Sequence, residues 1–295
     1  MLSILTLNTF LLDIRLFGWL PLYRRAPYVD ARLNALTDAL CEEGADVICL
    51  QEVFRPAHRK IITERLGRDY PHAAGTNYPG GGHGTGLMIF SRHPFLSVRQ
   101  HPFRAARVEE KIVTRSGVLD GIISVPGQGP VRVLNMHLTA GGLFRHPESV
   151  ATDGLRARQL KELLQLAEPE NTGKTMAATL LVGDLNAGPH TSQSNYRQVL
   201  DAGFTDAYTG TGATSGQNAP APAYTWDPDN PVIWRDADRR LPPQRIDHVF
   251  LRPENGAFRS GSARVALFEP RVAAKDGLRI PLSDHYGLFA QLDSA

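Results

Sequence analysis

The stretch Thr179-Leu-Leu-Val-Gly-Asp-Leu-Asn-Ala-Gly-Pro-His190 decides how the rest of the sequence is read. Thr179 to Val182 is a short run of branched aliphatics stopped by Gly183, the pattern of a buried strand. Alternation along a strand puts Asp184 and Asn186 on the face that carries Leu180 and Val182. A carboxylate and an amide at a strand's carboxyl end present hard oxygens to a divalent cation, or to a phosphoryl group held by one. The competing reading is an Asx turn after a strand, because Asp, Asn and Gly are the usual turn residues. The motif alone leaves both open.

The same sign recurs at other strand ends. Ser3 to Asn8 reads as a first strand in which Asn8 shares a face with Ile4 and Thr6. Asp46 to Glu52 reads as a second, with Glu52 on the face of Ile48 and Leu50. An inward carboxylate there is costly unless it is paired with an arginine or bound to metal. Strand 131–138 carries Asn135 and His137 on the face of Val131 and Val133, although a lone histidine is more often a satisfied structural residue. Arg245 to Leu251 sets Asp247 in line with Val249 and Leu251, and Ser283-Asp284-His285 precedes a last strand, Tyr286 to Leu292.

Each of these residues has a structural explanation by itself, but strands in packed sheets would bring them together. The donors are oxygens with histidines in the minority, a set that selects magnesium, manganese or calcium over structural zinc. Such a cation screens the charge of a phosphodiester and supports its leaving oxygen. A histidine held by a carboxylate takes the proton of the attacking water. Asp284 and His285 are neighbours that point different ways in extended chain, so the residue that orients His285 must come from elsewhere, with Asp247 the candidate.

With 295 residues, 42% apolar and 21% charged, the chain has material for a sizeable core, and no linker is long enough to divide it, so 1–295 is read as one domain. A net charge of +2 gives no bulk electrostatic argument for nucleic acid. The two cysteines, Cys41 and Cys49, fall in runs that read as core and are expected to be buried free thiols. Helices are expected over Val29–Leu40 (Asp30 as N-cap, Gly44 as stop), Pro56–Leu66, Asp153–Ala167 and Ser192–Leu200. Further strands are expected at 87–91, 95–99, 111–114 and 117–125, and loops at 139–152 and 209–223. The glycine-rich Tyr78–Gly86 is no Walker loop, because Leu87 stands where a Lys-Ser or Lys-Thr pair should follow; it reads as a surface loop.

No run is long and apolar enough to span a bilayer. The apolar stretch Phe10–Tyr23, followed by Arg24 and Arg25, is either a loop packed on its own domain or a peripheral membrane contact through 10–25. Met1-Leu2-Ser3 leads directly into a strand with no leader in view, which suits a cytoplasmic protein or a mature exported form. A monomer is expected.

The pieces Leu-Thr-Leu-Asn8, Leu-Gln-Glu52-Val-Phe, Asn-Met-His137-Leu, Gly-Asp184-Leu-Asn186, Arg-Ile-Asp247-His and Ser-Asp284-His285 together resemble the endonuclease/exonuclease/phosphatase superfamily, in its order and over almost the whole chain. The resemblance implies an α/β (α+β) fold, a four-layer sandwich of two packed mixed β-sheets flanked by helices. It implies that Glu52 binds the catalytic cation, Mg2+ with Mn2+ or Ca2+ as alternatives, with Asn8 beside it and Asp284 and Asp184 assisting. It further implies that Asp184 and Asn186 position nucleophile and phosphate. His285 would be the general base oriented by Asp247, and His137 would donate to the phosphoryl group or leaving oxygen.

Gly86-Leu-Met-Ile-Phe-Ser-Arg-His-Pro94, Arg115-Ser-Gly-Val-Leu119, Leu155-Arg-Ala-Arg-Gln-Leu160 and Tyr224-Thr-Trp-Asp227 look most like the neutral sphingomyelinase branch, phospholipase-C-type enzymes acting on a phospholipid head group. Two departures stand out. The secreted bacterial members carry an aromatic hairpin near the C-terminus, where this sequence has only Phe268 between 259 and 280. The animal members carry C-terminal membrane helices, which do not follow here before Ala295. The alternatives are a nuclease gripping nucleic acid with Arg104, Arg107, Lys111, Arg115, Arg239, Arg240 and Arg245, an inositol-phosphate phosphatase, and a non-catalytic binding module. The phosphatase fits poorly, because that branch usually has an arginine just beyond the asparagine of Gly-Asp-Leu-Asn.

Overall fold

A computed structural model describes residues 1–16, 20–24, 26–76, 84–108, 110–111, 115–140, 149–169, 175–208, 222–233, 238–274 and 277–294, with 14–16 and 20–24 described as backbone. The first half runs β1 (Leu2–Asn8), β2 (Asp13–Leu16), β3 (Leu20–Arg24), α1 (Val29–Glu43), β4 (Val47–Gln51), α2 (Pro56–Leu66), β5 (His72–Ala74), β6 (Met88–Ser91), β7 (Phe95–Pro102), β8 (Gly117–Val125) and β9 (Gly129–His137). The second runs α3 (Val150–Leu166), β10 (Ala178–Asp184), α4 (Gln193–Asp201), β11 (Thr205–Asp206), β12 (Asp247–Pro253), β13 (Phe258–Ala266), β14 (Val272–Ala273), β15 (Arg279–Ile280) and β16 (Gly287–Ser294).

Two six-stranded sheets form, ordered β13-β16-β1-β4-β6-β5 and β11-β12-β10-β9-β8-β7. Each is mixed: β1 lies parallel to β4, and β10 parallel to β9, while their other neighbours are antiparallel. Side-chain alternation assigns the layers. Ile4, Val47, Cys49, Val131, Val133, Leu180, Val182, Val249 and Leu288 meet in the core between the sheets. The opposite faces of the same strands carry Leu5, Leu7, Ile48 and Leu50, which pack under α1 and α2 with Leu33, Leu40 and Ile62. On the other side, Leu134, Leu181 and Phe250 pack under α3 and α4 with Leu160, Leu163 and Val199. Four layers follow from two periodicities, two along the strands and 3.6 along the helices. Central strands β4 and β10 are buried on both faces, which is why they read as continuous apolar runs.

Within the inter-sheet core, a pair of amides joins the two sheets just below the carboxyl ends of their strands. Gln51 Nε2 donates to Asn135 Oδ1 at 2.8 Å, and Asn135 Nδ2 donates to the Leu50 and Met88 carbonyls at 3.1 and 2.9 Å. Such buried groups are tolerated because they satisfy one another.

Several local expectations are corrected. Asp30 is not the N-cap of α1: Tyr28 holds that position in the left-handed region (φ 50°), and Asp30 sits in the first turn, where a carboxylate suits the helix dipole. Helix α3 starts at Val150, capped by the Ser149 hydroxyl, which accepts Thr152 N–H at 3.3 Å. Lys111 N–H donates to Arg107 O at 2.9 Å in a helical turn, not a strand, and 112–114 lie outside the described residues. The stretch 10–25 is no plain loop: β2 and β3 pair as an antiparallel hairpin, with 17–19 outside the description. Most of the expected loops at 78–86, 139–152 and 209–223 also falls outside it. Cys49 is buried in the inter-sheet core, Cys41 is only half-buried, and both are free. No described helix is long and apolar enough to cross a membrane.

Candidate active site

The polar residues gather where strands of both sheets end. Asp184 closes β10, paired in register with His137 on β9 and with Asp247 on β12. Across the inter-sheet gap, Asn8 closes β1, and its Nδ2 donates to Asp184 Oδ2 at 3.0 Å. Gly183 (φ 125°) allows the close approach of β10 to β9 here: a Cβ at this position would lie 2.2 Å from Met136 O.

The Gly-Asp-Leu-Asn motif forms the turn that was one of its two readings. Asp184 Oδ1 accepts the Asn186 N–H at 2.8 Å, an Asx turn. Asn186 stands in the left-handed region (φ 51°), so strict alternation does not set its direction, and its Nδ2 donates to Leu138 O at 2.9 Å. The turn does not compete with a functional role; it fixes the Asp184 carboxylate.

Glu52 needs a sharper correction. Ile48 and Leu50, whose face it was expected to share, point under the helices and not toward the other sheet. Glu52 lies just past the end of β4 with φ 61°, and that left-handed turn brings its Oε1 to 4.0 Å from His137 Nε2. A strained non-glycine residue beside clustered polar groups is a recurrent mark of a functional position.

His285 precedes β16 and reaches the other sheet, its Nδ1 2.8 Å from Asp247 Oδ2. Its Nε2 lies 3.9 Å from Asp184 Oδ2, while His137 Nε2 is 3.5 Å from the same oxygen. One ligand atom from each of Asp184, Asp247 and His285 lies within 4.8 Å of the others. Asp284 Oδ1 lies 3.3 Å from the Ser283 hydroxyl, whereas the carboxylate on His285 comes from Asp247.

The charges are strongly perturbed. Burial and the neighbouring Asp247 push the Asp184 carboxyl up to about 7, against the pull of His285 and the Asn8 and Asn186 donors. Burial alone would lower His285, but Asp247, with Asp284 and Asp184 behind it, raises it well above an ordinary imidazole. Burial lowers His137, outweighing the nearby Glu52. Excess negative charge in a buried site is the condition that a hard cation relieves, and the donor set suits one.

Several supporting residues carry no motif in the sequence. Buried Arg32 donates to the carbonyls of Thr9, Phe10 and Leu282 at 3.0, 2.6 and 2.8 Å, clamping the segments that carry Asn8 and Asp284. Ser283 Oγ donates to Asn8 O at 2.6 Å, tying the same two segments again. Behind Asp247, Asp206 accepts from Arg245 at 2.6 Å and Tyr196 OH at 2.9 Å, and lies 3.1 Å from His248 Nδ1. Arg245 is thereby a buried structural cation and is not available to grip a nucleic-acid backbone.

A family model described as Endonuclease/Exonuclease/phosphatase family matches residues 5–285. Sphingomyelin phosphodiesterase 2 of Homo sapiens is 27% identical over 265 residues, covering 88% of this chain and 59% of that protein. The chain thus spans about three fifths of that relative's length. Among solved structures, sphingomyelinase C from Streptomyces griseocarneus superposes with a TM-score of 0.72 at 21% identity, over 100% of this chain and 99% of that one. A mutant beta toxin of Staphylococcus aureus with bound magnesium ions gives 0.73 at 19% identity over 98% of both chains. These likenesses show a shared fold.

Proposed function

Because the chain belongs to the endonuclease/exonuclease/phosphatase family, we propose that it is a divalent-metal-dependent phosphoric diester hydrolase acting on a sphingomyelin-like phospholipid. The observation that carries the chemistry is the 2.8 Å His285–Asp247 contact made across the two sheets, directly beside buried Asp184. The family membership and the sphingomyelin phosphodiesterase relative support the substrate class.

Glu52, Asn8, Asp284 and Asp184 would hold the cation, taken here as magnesium, with manganese or calcium as substitutes. Bound there, it supplies charge screening of the diester and support for the leaving oxygen. Asp247 fixes the orientation of His285 through Nδ1; the surrounding acids favour the protonated ring, and the step needs the neutral imidazole, whose Nε2 takes the proton of the attacking water. Asp184 and Asn186 position that water and the phosphate. The water oxygen forms the new bond to phosphorus, the ester bond to the lipid oxygen breaks, and His137 donates to the phosphoryl group or the departing oxygen. Products are a phosphorylated head group and the lipid alcohol. The stretch 10–25 is proposed as the peripheral membrane contact.

A nuclease reading keeps the same residues and changes the substrate; it is favoured by the likeness to D. rerio TDP2 complexed with single strand DNA product (TM-score 0.68, 19% identity, 99% of this chain and 98% of that one). The two are separated by a paired assay with magnesium on sphingomyelin–detergent micelles and on plasmid DNA. Released phosphocholine with intact plasmid is expected. Nicked plasmid with untouched lipid would move the substrate to nucleic acid.

A further inference from the structure

Asp247 and His285 belong to different sheets, Asp247 at the start of β12 and His285 just before β16. Their contact depends on whatever fixes those two strands to each other at this end. Strand β11 pairs with Phe250 and Leu251 of β12, and Ala207 N donates to Val249 O at 2.9 Å, which still stops two residues short of Asp247.

Residues 224–226 fill that gap. Thr225 N and Trp226 N both donate to Gln244 O at 2.9 Å, and Gln244 N donates to Trp226 O at 2.8 Å. Toward the other sheet, Tyr286 N donates to Thr225 O at 2.6 Å, and Trp226 forms a bridge with His285. The Thr225 hydroxyl accepts two successive backbone N–H groups, Ile246 at 3.2 Å and Asp247 at 3.1 Å. Thr225 and Asp247 are both completely buried, so these N–H groups depend on a protein acceptor.

We propose that Thr225 is the positioning residue of the Asp247–His285 pair, its hydroxyl holding the backbone of Asp247 and its carbonyl holding that of Tyr286. The proposal rests on the reading of His285 as the general base. A threonine present only to fill space behaves in the opposite way on substitution. Valine keeps its shape and removes the acceptor, whereas serine keeps the acceptor and removes the methyl group.

The test compares the full chain with Thr225→Val and Thr225→Ser by two readouts. The first is kcat and KM on a soluble chromogenic diester with magnesium. The second is the far-downfield proton resonance of the buried imidazole–carboxylate pair, identified by its loss in His285→Ala. Thr225→Val is expected to lower kcat about 10- to 100-fold with KM within about twofold, and to shift or broaden the resonance. Thr225→Ser is expected to keep both near the parent values. A parent-like Thr225→Val, or a Thr225→Ser as impaired as the valine variant, overturns the proposal. If Thr225→Val does not fold, Thr225→Ala takes its place with the same expectation. A parent without diesterase activity defeats the general-base reading alone, and the resonance in the variants still decides the role of Thr225.

Discussion

Asp184 sits where a carboxylate is hardest to keep charged, buried and next to a second acid. One oxygen is occupied by the Asn186 N–H, and the other faces Asn8, His137 and His285. A group so fully engaged contributes through position as much as through charge. His285→Ala and Asp184→Ala should each leave a folded protein with diesterase turnover reduced at least about 100-fold; near-parent turnover in either variant, with unchanged circular dichroism, would remove that residue from the mechanism.

Asp206 makes a different prediction at the same scale. Burial would raise its carboxyl, but His248 and Arg245 hold it well below the usual carboxylate range. The folded form therefore binds its proton less readily than the unfolded chain, where an aspartate titrates near about 3.9. That difference stabilises the fold above about pH 4 and is lost as the pH falls below it. Urea unfolding of Asp206→Asn from neutral pH to acid should show a shallower acid decline than the parent. An identical decline would place the acid-sensitive group elsewhere.

At the scale of elements, the long strands were legible because their faces alternate cleanly. Leu180 and Val182 point between the sheets and Leu181 away from them, as their order along the chain requires. Alternation failed where the backbone leaves the strand. Glu52 and Asn186 both adopt left-handed conformations, which no apolar pattern reveals. Strand β13 was also invisible, because Ser260-Gly-Ser-Ala263 carries its bulge in small residues with no apolar alternation. The hairpin β2–β3 was hidden by Asp13, Arg15 and Pro21 within an otherwise apolar run; Asp13 proves to be buried and bonded to Arg55 at 3.0 Å. If this hairpin is the membrane contact, Trp19→Ala should weaken liposome binding and spare hydrolysis of a soluble diester. A parent protein that never binds liposomes would end that idea.

At the scale of the molecule, two sheets closing face to face convert strand ends distant in sequence into one site. Asn8 and Asp184 are 176 residues apart and share a hydrogen bond. Convergence of the strand ends was legible, since inward polar residues recurred on strands expected to pack together. Their framework was not: Arg32, Ser283 and Thr225 act on backbone carbonyls and N–H groups, and such contacts leave no spacing to read. The concentration of acids at the meeting point is the feature on which the proposal of metal-assisted chemistry rests. The measurement that tests this most directly is hydrolysis of sphingomyelin in detergent micelles by the parent protein, first in excess chelator and then with magnesium restored. Activity should vanish in chelator and return with magnesium; full activity in excess chelator would contradict the account.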